Sequence, residues 1–312
     1  MIDYKLTVII PTYNAKSYIA RCLDCLINQT YKDFCVIIID DASNDGTAEI
    51  VKKKISNQNN MKYIVLTENH GPSYCRNIGI NMTNTPYITF IDSDDYIDIF
   101  TYSECMQENI QNCNVIIYGL SYDYMKTDII EKKYVYPQKF SVTGQYALKI
   151  YGHTIHDSFK ITPIVNNKIY NTVWLKDNFI SFDERVRHQE DDIFTFKVLS
   201  QAETVLFVPN CFYHYCQNSS SIIHTIEEET VTHFVMAYKS LYDYLTKKGT
   251  FIEYEDEFYL KFKSSLKGVI KRTIDYSNDI SKSMNLLSIL YKQILENFEI
   301  EKLLHYFDFN NL

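Results

Sequence analysis

Ile88-Thr89-Phe90-Ile91-Asp92-Ser93-Asp94-Asp95 is the stretch that decides how this chain folds. Its apolar half leads straight into three carboxylates within four positions. A near-continuous run of β-favouring residues suits a strand covered on both faces, and the charge falls where that strand ends. In an open α/β sheet, ligands gather in the crevice beyond the carboxyl ends of the strands. Carboxylates crowded there repel one another unless a cation or proton neutralises them. Hard oxygen donors facing a phosphate-bearing ligand suit Mg²⁺ or Mn²⁺. On the D-x-D spacing alone, an acidic turn capping the next helix carries equal weight.

Upstream, the same kind of unit repeats. Leu6-Thr7-Val8-Ile9-Ile10 reads as a buried strand that Pro11-Thr12-Tyr13-Asn14 ends, since Pro cannot donate to a ladder. Ile19, Leu23 and Ile27 share a face of a helix expected over residues 16–28. Cys35-Val36-Ile37-Ile38-Ile39 is a second strand running into Asp40-Asp41, and a loop leads from there to Thr47, placed to cap a helix bearing Ile50, Val51 and Ile55. Tyr63-Ile64-Val65-Leu66 is a third strand, and Ser73 caps a helix through Met82. Strands alternating with helices predict an α/β fold with a doubly wound, mostly parallel sheet. Parallel strands end on one edge, so Pro11, Tyr13, Asp40, Asp41, Asn69 and Asp92 through Asp95 should converge there, an arrangement suited to a nucleotide.

Downstream, residues 98–111 read as helix and Val115-Ile116-Ile117-Tyr118 as strand. Residues 121–145 fit an edge hairpin or an acceptor-side excursion, and 146–170 carry no readable period beyond the break at Thr162-Pro163. Asn171 to Leu175 opens a short helix. Glu190-Asp191-Asp192 starts an amphipathic one, where the macrodipole favours acidic residues. Asp192 is expected there as a solvated first-turn charge. Val205 to Val208 and Phe212 to Tyr215 read as two strands, followed by a polar loop to Ser221. Phe258, Phe262, Leu266, Ile270 and Ile274 step by four. The expected division is a nucleotide-binding and catalytic domain over 1–225 and a helical segment over 226–312 that packs, holds an acceptor or dimerises.

The 312 residues, 46% hydrophobic and 22% charged, are ordinary for a globular protein. A net charge of −8 argues against nucleic-acid binding, because no basic stripe is available for phosphates. No apolar run approaches the ~18 residues a membrane span requires, and the N-terminus lacks a signal-peptide pattern. The expected location is cytoplasmic, with the inner membrane face as an alternative, and the eight cysteines reduced. Cys22 and Cys25 lie among apolar helical neighbours and read as core.

Taken together, these motifs resemble the family 2 glycosyltransferases of GT-A fold, over about residues 5–222. Ile39-Asp40-Asp41-Ala42-Ser43-Asn44-Asp45-Gly46-Thr47 is similar to the family's D-D-G-S-x-D-G-T, with Ala42 for the usual Gly. Gly71 to Gly79 is similar to G-x-S-x-A-R-N-x-G, with Cys75 for Ala; Asp92-Ser93-Asp94 is the D-x-D region and Glu190-Asp191 the E-D motif. The resemblance implies an inverting, metal-dependent enzyme that moves a sugar from a UDP-sugar to a hydroxyl of a glycan or lipid-linked glycan acceptor, in envelope or capsular polysaccharide synthesis. It implies that Asp41 accepts from uracil, that Pro11 and Tyr13 pack on the base, and that Asp40, Asn69, Arg76 and Ser93 help hold the nucleotide. Asp92 and Asp94 would hold ribose and Mn²⁺ or Mg²⁺, Asp191 would be the base, and Glu190 would orient it or the sugar. The family's late diphosphate-binding Arg is absent; His214, Ser219 and Ser221 are the substitutes at hand. Peripheral membrane contact and a homodimer fit the same picture. The competing readings are a catalytically silent scaffold, which predicts loss of an essential carboxylate, and a nucleotidyltransferase, which expects a Gly-rich basic loop after the first strand.

Overall fold

The computed structural model describes residues 4–107, 110, 112–124, 129–151, 160–217, 227–276 and 279–306. Four strands, β1 (Leu6–Thr12), β2 (Phe34–Asp40), β3 (Met61–Val65) and β4 (Tyr87–Phe90), lie parallel. They are joined by α1 (Ile19–Ile27), α2 (Thr47–Ile55) and α3 (Pro72–Met82). A two-residue strand, β5 (Tyr96–Ile97), follows, and of the helix expected over residues 98–111 the structure shows a short one, α4 (Thr101–Cys105), with residues 108, 109 and 111 outside those described. Then come β6 (Val115–Tyr124), β7 (Ile129–Tyr134), β8 (Phe140–Val142), α5 (Gly144–Tyr151), β9 (Lys168–Asn171), α6 (Thr172–Asp177), α7 (Glu190–Gln201) and β10 (Val205–Gln217). The chain closes with α8 (Glu228–Lys248), α9 (Glu255–Tyr276), α10 (Ile280–Asn297) and α11 (Ile300–Tyr306).

The strands form one sheet in the order β3-β2-β1-β4-β9-β6-β10-β5, with β7 against β6 and β8 against β10. Because β9 is antiparallel to both β4 and β6, and β10 is parallel to β6, the strands β1 to β4, β6 and β10 all point the same way. The carboxyl edge of those strands is where the acidic loops emerge. β6 and β7 pair antiparallel, which is the hairpin of the two alternatives open for residues 121–145. β10 joins the two strands read separately, through a bulge between Val208 and Phe212.

β1 continues through Pro11, which the sequence reading takes as its end. Ile91 N–H donates to Ile9 O, whereas Asp41 N–H donates to Thr12 O, so odd residues of β1 face β4 and even ones face β2. Pro11 faces β4 beyond that strand's last paired residue, where no N–H is required. Thr47 is the first residue of α2 rather than its cap; Gly46, at φ +98°, holds the cap position. Likewise Gly71 caps α3, with Pro72 as its first residue.

Both faces of the sheet are covered. Leu6, Val8, Ile10, Val36 and Ile38 pack with α1, and Ile9, Ile37, Ile39, Ile88 and Phe90 pack with α3 and α7. Residues of α8, α9 and α10, among them Phe234, Tyr238, Phe258, Phe262 and Leu290, belong to that second core, so the C-terminal helices cover one face of the sheet. Among the described residues, no helix is long and apolar enough to cross a membrane. Cys22 is fully buried and Cys25 half-buried, as core residues of α1.

Candidate active site

The site is built around Arg76. Its helix, α3, lies close on β1 because Gly79 lacks a side chain: a Cβ there would meet Ile9 Cδ1 at 2.5 Å. That approach turns Arg76, one turn earlier, inward at the sheet edge, where it is 3% exposed. Its guanidinium spans two separate acidic loops. Nη2 donates to Asp92 Oδ1 at 2.9 Å, at the end of β4. Nη1 donates to Asp191 Oδ1 at 3.0 Å and lies 3.5 Å from Glu190 Oε1, both in the first turn of α7. The planar fork of Arg fits this task in a way a Lys point charge would not.

The electrostatics follow from three carboxylates sharing one cation. Burial pushes the Glu190 carboxyl up to about 8, with Asp191 adding to the shift and Arg76 opposing it. Burial also raises Asp191, again against Arg76, and Asp92 adds to the rise. For Arg76, burial alone would loosen the proton, but Asp191, Asp92 and Glu190 outweigh it and hold the proton more firmly. Burial thus makes the Glu190 and Asp191 carboxyls hold their protons more firmly than ordinary carboxylates, with Arg76 opposing.

The D-x-D loop divides into two roles. Asp95 is 1% exposed; its oxygens accept from Cys216 N–H at 2.8 Å and from the Tyr213 hydroxyl at 2.5 Å. Burial raises it, and Asp94 and Asp92 add to that. It ties the loop to β10. Asp92, Ser93 and Asp94 remain partly exposed. Arg21 of α1 donates to the Asp94 carbonyl at 2.5 Å, which fixes the turn from behind.

The remaining predicted residues fall into distinct places. Asp41 caps the start of α3 from outside: its oxygens accept from His70 N–H at 2.8 Å and Gly71 N–H at 2.7 Å. Asn69 is exposed beside it and donates to the Asp41 carbonyl at 3.3 Å. Tyr13 is half-exposed at the end of β1, and Pro11 is buried just before it. Asp40 is wholly buried, its oxygens taken by Ser43 N–H and the Tyr63 hydroxyl, and it shapes the loop from below. Ala42, in the usual Gly place, has φ +63°, which is why glycine suits that position. His214 is not brought to Arg76. Successive strand residues face opposite ways; Tyr213 meets the D-x-D loop, while His214 stacks on Tyr96 and meets Asp123 at 2.9 Å and Asp98 at 3.1 Å. Ser219 and Ser221 lie outside the described residues.

The unread stretch supplies a part of the site. Asn166 Nδ2 donates to Asp92 Oδ2 at 2.8 Å and to the Tyr213 hydroxyl at 2.9 Å, while Val165 N–H approaches Asp191 Oδ2 at 3.4 Å. Asn166 Oδ1 is buried without a hydrogen-bond partner among the described residues. Lys168, fully buried, holds this loop by donating to Thr162 O at 3.0 Å, Ile164 O at 2.5 Å and Asn167 Oδ1 at 2.9 Å. Burial pushes its pKa down to about 7, with Asp191 opposing. The available signal was the polar run Asn166-Asn167-Lys168 set between apolar residues. Asp192 also departs from expectation: it is 4% exposed, because groups from α5, α8 and α9 surround it.

A largely parallel sheet whose carboxyl edge carries a D-x-D loop and a second acidic pair, joined by one arginine, fits a GT-A fold. The chain belongs to glycosyl transferase family 2, whose model matches residues 7–167. It is 31% identical over 216 residues to the poly(ribitol-phosphate) beta-N-acetylglucosaminyltransferase TarS of Staphylococcus aureus, a match covering 68% of this chain and 35% of that protein. It is 25% identical over 260 residues to the putative glycosyltransferase EpsH of Bacillus subtilis, covering 81% and 72%. The fold is similar to that of S. aureus TarS 1-349 in complex with UDP-GlcNAc, with a TM-score of 0.61 at 20% identity, covering 94% of this chain and 73% of that one. It is also similar to a Pyrobaculum calidifontis mannosyltransferase with GDP-Man and Mn²⁺, with a TM-score of 0.52 at 13% identity, covering 93% and 80%. The chain spans about a third of the length of TarS.

Proposed function

We propose that this protein is an inverting glycosyltransferase that moves a sugar from a UDP-sugar to a hydroxyl of a cell-envelope glycan or related polymer. The observation that carries the reading is the Arg76 bridge, which holds Asp92 and Asp191 on one guanidinium although 99 positions separate them in sequence. The names of the relatives, poly(ribitol-phosphate) beta-N-acetylglucosaminyltransferase and poly(ribitol-phosphate) beta-glucosyltransferase, support a hexosyl or N-acetylhexosaminyl donor and a polymeric acceptor.

In this reading the uridine lies between Tyr13 and the Asp41 loop, with Asn69 at its edge and Asp92 and Ser93 near the ribose. Asp191 takes the proton from the acceptor hydroxyl as that oxygen attacks the anomeric carbon. One direct displacement inverts the centre, and the electron pair of the breaking bond leaves on UDP. Glu190 orients a hydroxyl beside the base, and Asn166 holds Asp92 in place through its amide N–H.

Among the described residues no three His, Cys, Asp or Glu side chains gather as a full metal cage. Mg²⁺ and Mn²⁺ bound with a diphosphate do not require one, because one or two carboxylates and substrate oxygens suffice. Asp94 with Asp92 fits that donor set. The ion would neutralise charge on the leaving diphosphate. Mn²⁺ in related GT-A structures supports a divalent ion here.

The test is a panel of UDP-sugars assayed for UDP release with glycan and poly(ribitol-phosphate) acceptors, with Mn²⁺ or Mg²⁺ and then with EDTA. Turnover of at least one UDP-sugar, lost on chelation, is expected. Release of pyrophosphate instead of UDP, or no turnover of any donor, would contradict the reading.

A further inference from the structure

Asp192 is the third acidic residue in the first turn of α7, yet it faces away from Arg76, into the packing between α7 and the C-terminal helices. Its carboxylate is fully coordinated there. Oδ1 accepts from the Tyr151 hydroxyl of α5 and pairs with Lys261 Nζ of α9 at 3.0 Å. Oδ2 lies 3.1 Å from the Tyr238 hydroxyl of α8 and 3.1 Å from Ser265 Oγ of α9. Tyr238 and Ser265 are themselves joined at 2.8 Å, and the Lys261 ammonium sits over the Tyr151 ring at 4.4 Å. The ion pair is shielded, with side-chain exposures of 5% for Asp192 and 13% for Lys261.

A buried carboxylate with this many donors is costly to disturb, because losing any partner strands a desolvated charge. Its backbone is covalently the next unit after Asp191. The turn it anchors also begins under strain: Gln189, the residue before α7, has φ +69° without being glycine. Such a turn keeps its geometry only where the surroundings over-determine it. On the Arg76 side that turn is held through Glu190 and Asp191; on the other side it is held through Asp192, whose partners come from α5, α8 and α9, elements that hold no other residue of the site.

We propose that Asp192 is a positioning residue, and that the C-terminal helices act in catalysis by gripping it and thereby fixing the Asp191 carboxylate against the acceptor hydroxyl. This rests on the glycosyl-transfer reading above and assigns the C-terminal helices a role within it. Donor binding belongs to the opposite side of Arg76, at β1 to β4, so loss of the grip should reach kcat and spare the nucleotide.

The experiment compares the full chain with Asp192→Asn and Tyr238→Phe, using the UDP-sugar and acceptor found in the screen. UDP affinity and the number of UDP-binding sites are measured by calorimetry, and kcat is expressed per UDP-binding site. In Asp192→Asn, kcat per site should fall on the order of 10²-fold, the size of effect expected for a base displaced by about 1 Å. UDP affinity and donor KM should stay within about twofold. Tyr238→Phe, which removes one hydroxyl and is the milder change, should lower kcat severalfold with the same split. A merely structural role would reduce the number of sites or the melting temperature and leave kcat per site unchanged. That result, or a parallel loss of UDP affinity, would overturn the inference, and Tyr238→Phe decides the matter should Asp192→Asn not fold. If the wild type turns over no UDP-sugar, or Asp191→Asn stays fully active, the reading of function fails instead.

Discussion

Arg76 must satisfy three carboxylates from one buried position, and the chemistry of the site turns on that imbalance. The cation favours the ionised forms of Glu190 and Asp191 and so pulls their pKa values down, while burial raises them; burial wins for both. In the proposed mechanism Asp191 must be unprotonated, so kcat/KM should rise with pH along an acid limb above the ordinary carboxylate range. Removing the cation by Arg76→Met removes the opposing influence, and the limb should move to higher pH. A pH–rate profile checks this, and a limb that stays in place or moves down would contradict the assignment. Asn166 gives a second residue-scale outcome. Its amide N–H groups hold Asp92 and the Tyr213 hydroxyl. Asn166→Ala leaves Asp92 without that buried hydrogen bond and should weaken UDP binding by about 1–3 kcal/mol; isothermal titration with UDP would measure it, and unchanged affinity would remove Asn166 from the site.

Legibility at this scale followed motif density. Asp92, Arg76, Glu190 and Asp191 stand in runs whose residue types have few structural uses together. Asn166 sits in a loop without period, and its function depends on a contact with Asp92 across 74 positions, which no local pattern encodes. Asp192 was misread for a physical reason: at a helix N-terminus an acidic residue is adequately explained by the macrodipole, so nothing in its own turn announces four donors arriving from elsewhere.

Among elements, the contact of α3 with β1 is the hinge of the account. Gly79 permits it, and adding a methyl group would press on Ile9. Gly79→Ala should cost about 1–3 kcal/mol of stability, the usual penalty for overpacking. It should also lower kcat by moving Arg76. Pairing it with Ile9→Ala should restore part of both; denaturant melts and kcat on the four combinations measure the coupling. The strand–helix alternation of β1 to β4 was readable because each strand is a short apolar run ended by turn residues. The extension of β1 through Pro11 was not, since it depends on where β4 stops. Nor was β9, which enters antiparallel between β4 and β6 and is four residues long.

For the whole molecule, the core shared by α7 with α8, α9 and α10 bears on the expected boundary near residue 225. Cutting there would uncover the face of α7 that carries Phe196, which lies beside Leu260 and Lys261 of α9, and leave Asp192 without Tyr238, Ser265 and Lys261. A fragment of residues 1–225 should therefore be insoluble or melt far below the full chain by differential scanning calorimetry; a fragment as stable as the full chain would make the helices an independent unit. The central claim is that sheet topology brings a nucleotide-gripping loop and a base together across Arg76. Its most direct test is Asp191→Asn, assayed for sugar transfer and for UDP binding on the same preparation. The account predicts transfer reduced by at least about 10³-fold with UDP affinity nearly unchanged. Transfer at the wild-type rate, or UDP binding lost together with transfer, would contradict it.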